Sequence, residues 1–407
     1  MSQQPNPDRN EWPALLGVAL VTVPGIIYYA PLLLSFAEAL LADGITGWAA
    51  DRDFANYWMG ARMALAGEHQ DLWVQETYFK HLQAVFGPNA AFRNWGYPPH
   101  FLLMIAPLGW LGYKSAMLAF LLSTLLLFIA AVATFRREFA PQSDTRVLAL
   151  ALVAYVLMMI DAAQNGFLFA AMLLFGLAWR SKHPLLAGMA FAILTVKPQL
   201  GFLIPVLLLF ERRWPTFGWT ALFTAMLLAA SALVFGVDSW TSYLTETLSY
   251  QRSVMTEWEG VFLSMMPTIF GSVRAFGLFP DVAFTAQWPT TLCGGLIVVM
   301  LLYLERDSLR TAFFLTCGTF VISPYGFNYD MGALTVVAAV LAGQPGSRGI
   351  EATALGIVAG LSAVVMPLGL AGVPIAPLLL IAGLAAVAIS GRASYRSSTN
   401  SFRTSAA

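Results

Sequence analysis

Five short polar stretches interrupt an otherwise apolar chain, and each carries side chains able to do chemistry. The first reads Asp51-Arg52-Asp53-Phe54-Ala55-Asn56-Tyr57-Trp58. On a helix, Asp53, Asn56 and Tyr57 fall at i, i+3 and i+4 and share one face, which sets a carboxylate base beside an amide and a phenol. The second, Trp95-Gly96-Tyr97-Pro98-Pro99-His100, adds an imidazole that can donate, accept or carry charge near neutral pH. The third is Gln164-Asn165, between two apolar segments. In the fourth, Thr195-Val196-Lys197-Pro198-Gln199, the proline breaks the helix and frees backbone groups beside a cation and an amide, a corner suited to phosphate. The fifth, Ser323-Pro324-Tyr325-Gly326-Phe327-Asn328-Tyr329-Asp330, offers two tyrosines, an amide and a carboxylate, groups that match the hydroxyls of a sugar.

Each stretch also has a purely structural account. Asp53 suits an N-cap, where a carboxylate satisfies free backbone N–H groups and the helix dipole. Pro98 and Pro99 suit the first turn of a helix, and a lone histidine such as His100 is commonly a buried hydrogen-bonder. Lys197 at the end of a span can snorkel to the headgroups. Residues 323–330 read equally as a turn rich in Pro, Gly and Asn.

The elements that must position these residues follow from composition. Of 407 residues 58% are hydrophobic and 11% charged, against about 25% charged in a soluble domain. Stretches such as Trp12 to Leu41 and Ser115 to Phe135 meet the roughly 20 residues needed to cross the hydrocarbon layer. The first is too long for the apolar region of a signal peptide, about 7–15 residues, and lacks a small-residue cleavage site, so it is expected to remain as the first span. The 22 basic residues balance the 22 acidic ones, and nucleic acid is excluded as a partner. Cys293 and Cys317 lie in apolar segments without the other ligands of a metal site, and both read as packing residues. No metal and no cofactor is expected.

Short loops rich in Lys and Arg stay in the cytoplasm. That rule places Arg9, Arg136, Arg137, Arg146, Arg180, Lys182, Arg212, Arg213, Arg306, Arg310, Arg348, Arg392, Arg396 and Arg403 inside. Residues 42–114, the Gln164-Asn165 turn, the Lys197 turn, residues 237–287, the Ser323 to Asp330 turn and residues 367–373 then lie outside. The expected fold is an all-α polytopic helix bundle of about twelve spans, some short for a bilayer core of about 30 Å. The alternation requires Pro98 to Trp110 and Val261 to Phe279 to be interfacial or re-entrant helices in the external loops. One transmembrane domain, 12–390, with external loops 42–114 and 237–287, is expected between cytoplasmic tails 1–11 and 391–407. All five polar stretches gather at the external face.

Taken in order, these stretches resemble glycosyltransferase family 87, membrane enzymes of the GT-C type that use polyprenyl-phosphate sugars. The resemblance rests on Asp53-Phe54 with Tyr57-Trp58, the downstream Gly67, Tyr97-Pro98-Pro99, Lys197-Pro198-Gln199 ahead of Arg212-Arg213-Trp214, and Ser323-Pro324-Tyr325 with Tyr329-Asp330. It covers roughly residues 12–345. One departure is visible: relatives often carry Gly-Gln before the Asn, and this chain has Ala163-Gln164-Asn165.

The resemblance implies transfer of a sugar, with mannose the familiar one, from a polyprenyl-phosphate donor to a lipid or glycan acceptor at the external or periplasmic face of the cell membrane. Inversion at the anomeric carbon is expected. Such chemistry needs a base for the acceptor hydroxyl and positive or hydrogen-bonding help for the departing phosphate. Asp53 is the expected base. Lys197 is expected to take the phosphate, with Arg93 and Arg62 in support. Asn56, Tyr57, Tyr97, His100, Gln199, Tyr325, Asn328, Tyr329 and Asp330 are expected to bind substrate. Loop 237–287, with Trp240, Tyr243, Glu246, Tyr250, Arg252, Glu257, Trp258 and Glu259, either borders the acceptor or anchors the interface. The competing reading is a lipid or solute transporter or flippase. Transporters place polar groups near the bilayer midplane on broken helices and show paired repeats, whereas here the groups favour one face and no repeat is evident.

Overall fold

The computed structural model describes residues 12–45 and 51–404, with side chains through Gly391 except that of Leu248. The expected N-terminal tail 1–11, with Arg9, and the side chains of Arg392, Arg396 and Arg403 lie outside the described residues. Among the described residues every regular element is helical and no strand occurs.

Among the described residues, four helices are long and apolar enough to cross a membrane: Trp12–Leu41, Tyr113–Phe139, Trp214–Phe235 and Pro280–Leu304. At 1.5 Å per residue, the 22 residues of Trp214–Phe235 extend about 33 Å, close to the hydrocarbon thickness of about 30 Å. Its buried residues are Thr216, Ser231 and Phe235, while Leu222, Met226, Leu233 and Val234 stand exposed. An apolar helix exposed over most of its surface has only lipid to face. Gly166–Trp179 is just as apolar but is buried along its length. The protein is therefore an all-helical membrane protein.

Prolines open three of the shorter apolar helices, of 10–17 residues, at Pro99, Pro184 and Pro198. Pro184–Ile193 tightens into a 3₁₀ turn at Leu194–Val196 and stops at Lys197. Pro198, with no N–H to offer, opens the next helix at its first position. Pro99 opens Pro99–Ile105 in the same way.

The chain divides into two compact units. One comprises residues 27–135 and 156–260; the other comprises residues 1–26, 136–155 and 261–407. Within the first, close helix packing depends on small residues. A Cβ at Gly188 would stand 2.5 Å from the Cβ of Trp219, so only glycine lets Pro184–Ile193 approach Trp214–Phe235 this closely. At the expected cytoplasmic end, Arg180 is 2% exposed and donates through Nε and Nη2 to the two oxygens of Glu211 at 2.8 Å each.

In the second unit, a Cβ at Gly356 would stand 2.2 Å from the carbonyl oxygen of Ala14, and one at Gly17 2.3 Å from that of Thr353. The first span and Gly349–Gly360 thus meet through small residues on both sides. Arg310 joins three segments, pairing with Glu351 at 2.8 Å and with Glu305 at 3.4 Å, and donating to Ser390 at 3.0 Å.

Candidate functional site

Asp53 stands at the N-cap position of the helix Phe54–Ala66, and its side chain makes no capping hydrogen bond. Its carboxylate instead accepts from Gln164 Nε2 at 2.6 Å. The Gln164 oxygen accepts from the Tyr57 hydroxyl and from the Asn165 backbone N–H at 3.2 Å. Tyr57 and Tyr97 share a hydroxyl contact of 3.0 Å, and Asn165 Nδ2 donates to the Tyr97 hydroxyl at 3.1 Å.

The proton positions follow from counting donors. Tyr57 has one hydroxyl hydrogen and gives it to Gln164, so Tyr97 must be the donor in the contact between the two phenols. The bonds therefore run in one direction, from Asn165 through Tyr97, Tyr57 and Gln164 to Asp53. Aligned hydrogen bonds polarise one another, and this chain of them ends on a carboxylate. Asn165 is fully buried, and its Oδ1 has no partner among the described residues.

Local backbone geometry makes this convergence possible. Arg146–Ala162 ends at Ala163, which adopts a left-handed φ of 47°, a conformation that costs a residue with a Cβ about 1–2 kcal/mol. That turn brings the Gln164 and Asn165 side chains into one network. It also accounts physically for the glycine expected at this position in relatives, since glycine takes such a φ without the penalty.

The turn before Asp53 is held by charge. Arg52 pairs with Asp161 at 3.4 Å, and the Arg52 carbonyl accepts from Arg93 Nη2 at 3.3 Å. Arg93 is buried and also donates to the carbonyl of Ala91 at 3.1 Å. Its geometry ties the 91–94 segment to the Asp53 turn. Arg62 is exposed and lies 4.9 Å from the Trp58 ring centroid.

Asn56, on the shared helix face, uses both ends of its amide. It donates to the Asn94 carbonyl at 2.8 Å and accepts from the Tyr78 hydroxyl. Burial pushes the Tyr78 phenol above its usual range, so it stays protonated and donates. Asn56 thereby fixes the strip that carries Trp95, Gly96 and Tyr97. The strip also presses on the helix, since a Cβ at Gly60 would lie 2.4 Å from the Trp95 ring. Gly60→Ala is accordingly expected to overpack this contact, destabilising the fold by about 1–3 kcal/mol. A clear fall in the thermal midpoint of the purified protein checks this, and an unchanged midpoint would contradict it.

Lys197 is 6% exposed, with its ammonium 5.4 Å from the Phe169 ring centroid. Phe169 lies 6.3 Å from Phe101, which lies 4.7 Å from Tyr97. An aromatic path thus runs from the cation to the Asp53 network. His100, 1% exposed, stacks on Trp240 at 5.6 Å with ring planes 9° apart, and its Nε2 meets Thr195 Oγ1 at 3.2 Å. Thr195 already gives its hydrogen to Ala192 O at 2.6 Å, so Nε2 donates. In the neutral ring that leaves Nδ1 as an acceptor with no partner among the described residues. Gln199 is half-buried and makes no side-chain hydrogen bond among them.

Tyr325, Asn328, Tyr329 and Asp330 belong to the other unit. Their loop is clamped by Thr268 Oγ1 on Pro324 O at 3.2 Å and by Tyr155 Oη on Tyr329 O at 2.8 Å. The Asn328 amide donates to Ser362 O at 3.4 Å and accepts from Tyr329 N at 3.0 Å. Tyr329 and Asp330 are also buried, while Tyr325 reaches partial exposure.

The model of glycosyltransferase family 87 matches residues 95–324, more than half of the chain. The chain belongs to glycosyltransferase family 87. No curated protein and no solved structure matches it. Within the family 87 match lie Tyr97, His100, Gln164, Asn165, Lys197 and Gln199; Asp53 lies outside it. What links Asp53 to the matched region is the hydrogen bond from Gln164.

Three residues of this arrangement were not among the expected substrate-binding or catalytic ones: Gln164, Asn165 and Asp161. Gln164 sits at the centre of the network, and Asp161 pairs with Arg52 beside it. Asp161 did leave a signal: a carboxylate at the end of the apolar run 147–160 is costly unless paired. Gln164 and Asn165 stood out as a polar break between two apolar segments, but an amide in a turn carries no mark of its partners, so neither was given a role.

Proposed function

We propose that this membrane glycosyltransferase moves a sugar, with mannose the first candidate, from a polyprenyl-phosphate donor to a hydroxyl of a lipid or glycan acceptor. The reading places the reaction at the external face, in a GT-C type bundle of about twelve crossings whose shorter helices complete the four long ones. The observation that carries it is the one-directional chain of hydrogen bonds ending on Asp53, in a chain of family 87. A carboxylate held by an amide rather than spent on a helix cap is a group available to accept a proton.

In the proposed reaction the acceptor oxygen attacks the anomeric carbon from the face opposite the phosphate. The carbon–oxygen bond to the acceptor forms as the bond to the phosphate oxygen breaks, the electron pair leaves with the lipid phosphate, and the hydroxyl proton passes to Asp53. Inversion follows from the single displacement. Lys197 stabilises the charge that grows on the departing phosphate. Its burial supports this, because a shielded cation acts more strongly than one in water. Arg93 holds the turn that carries Asp53. The Tyr325 to Asp330 loop is assigned to substrate binding, with the half-exposed Tyr325 its most available group.

The test is incubation of the purified protein with labelled polyprenyl-phosphate mannose and a membrane lipid extract, followed by product identification. A labelled glycolipid or glycan is expected. Donor that is neither consumed nor transferred would overturn the donor assignment.

The orientation is tested separately, in a background with Cys293 and Cys317 replaced. Glu68→Cys is expected to react with a membrane-impermeant thiol reagent on intact cells and Ser181→Cys is not, because the basic residues Arg180 and Lys182 flank Ser181. Both positions are exposed to a reagent that reaches their side. The opposite labelling pattern would put the site in the cytoplasm.

A further inference from the structure

Beside Tyr97 lies a feature that neither the Asp53 network nor the lysine uses. A Cβ built on Gly96 would meet only two neighbours, Asn94 Nδ2 and Gln251 Nε2, each at 3.8 Å. Two side-chain amides therefore converge on a small open space above Gly96, one from its own strip and one from the helix Leu248–Glu257. Neither amide makes a hydrogen bond among the described residues, and both residues are half-buried.

The surroundings are built. The Asn94 backbone is fixed by Asn56 at 2.8 Å. Trp95 is 2% exposed, stacked on Phe101 at 6.1 Å, and its indole N–H has no partner among the described residues. On the helix side Trp258 lies 6.4 Å from Tyr250 and 6.3 Å from Phe92, which itself packs on Phe79 at 5.2 Å. Neutral amides that both donate and accept, among aromatic rings, suit the hydroxyls and C–H faces of a sugar. A phosphate would call instead for cationic donors, and the nearby Arg93 is directed to the carbonyls of Ala91 and Arg52.

We propose that Asn94, Gly96 and Gln251 form the seat of the acceptor: a neutral sugar ring whose neighbouring hydroxyls are held by the two amides, one residue away from Tyr97 and its hydrogen-bonded path to Asp53. Glycine at 96 leaves the room the ring occupies. The inference rests on the glycosyltransferase reading above and names the side of that site which takes the acceptor.

The experiment uses the purified full chain and three probes: methyl α-mannopyranoside, methyl β-glucopyranoside and myo-inositol. Saturation-transfer NMR reports their binding to the wild type, to Gln251→Ala and to Gly96→Ala. The alanine at 96 meets only ordinary van der Waals contacts, so this variant is expected to fold. At least one probe is expected to bind the wild type, with affinity falling about tenfold on loss of the Gln251 hydrogen bonds and lost when a methyl group fills the space at Gly96. Failure of all three probes to bind the wild type overturns the seat, as does undiminished binding in both variants. Turnover of labelled polyprenyl-phosphate mannose is followed in parallel. Binding that behaves as expected without donor turnover supports the seat and counts against the donor assignment alone.

Discussion

Asp53→Asn is expected to leave the protein folded and to slow sugar transfer by about 10²–10⁴. The amide has the shape of the carboxylate, and its oxygen can still accept from Gln164 Nε2, a bond of 2.6 Å in the wild type. Nothing is lost from helix capping, because the Asp53 side chain makes no capping bond. What disappears is basicity: an amide oxygen does not take the acceptor's proton. The expected signature is a fall in kcat with the thermal midpoint near that of the wild type. Near-normal turnover in the folded variant would remove Asp53 from the role of base and leave the network a structural one.

Lys197→Ala is expected to lower kcat by about 10²–10³, the scale for losing one donor to a developing negative charge. An ammonium that is 6% exposed, set over the Phe169 ring and followed by Pro198, gives up most of its water. So placed, it acts on a developing negative charge more strongly than a cation in water does. Snorkelling makes a different forecast, a mild loss with both constants little changed, because the headgroups need no particular lysine. Measuring kcat and KM against donor concentration separates the roles. Loss of kcat marks stabilisation of the leaving phosphate; a raised KM with kcat retained marks donor binding only. Unchanged values return Lys197 to an anchoring role.

Much of the architecture was legible in the sequence because the bilayer imposes it. Every backbone group in lipid must be bonded within the chain, so runs such as Trp12 to Leu41 read as helix from composition. Proline marked helix starts for the same local reason, and Pro99 and Pro198 open helices. Burial was not legible. Trp214–Phe235 and Gly166–Trp179 are both apolar throughout, yet one is largely exposed and the other buried. In a membrane both faces of a helix can be apolar, so the pattern that tells inside from outside in a soluble protein is missing.

The sequence by itself determined which residues were candidates: Asp53, Asn56 and Tyr57 on one helix face, Lys197 beside its proline, and the membership in glycosyltransferase family 87 that their order suggested. Only the tertiary structure decided what those candidates do for one another. It withdrew Asp53 from helix capping and gave it to Gln164, 111 positions away in the chain. It committed the Asn56 amide to Tyr78 and to the Asn94 carbonyl, and turned Arg93 onto backbone carbonyls. It made Gln164 central through a left-handed turn at an alanine. The physical reason is range. Helix formation and insertion are set by neighbours within a turn or two, which the sequence displays, whereas a hydrogen bond between side chains depends on where separate helices end in space.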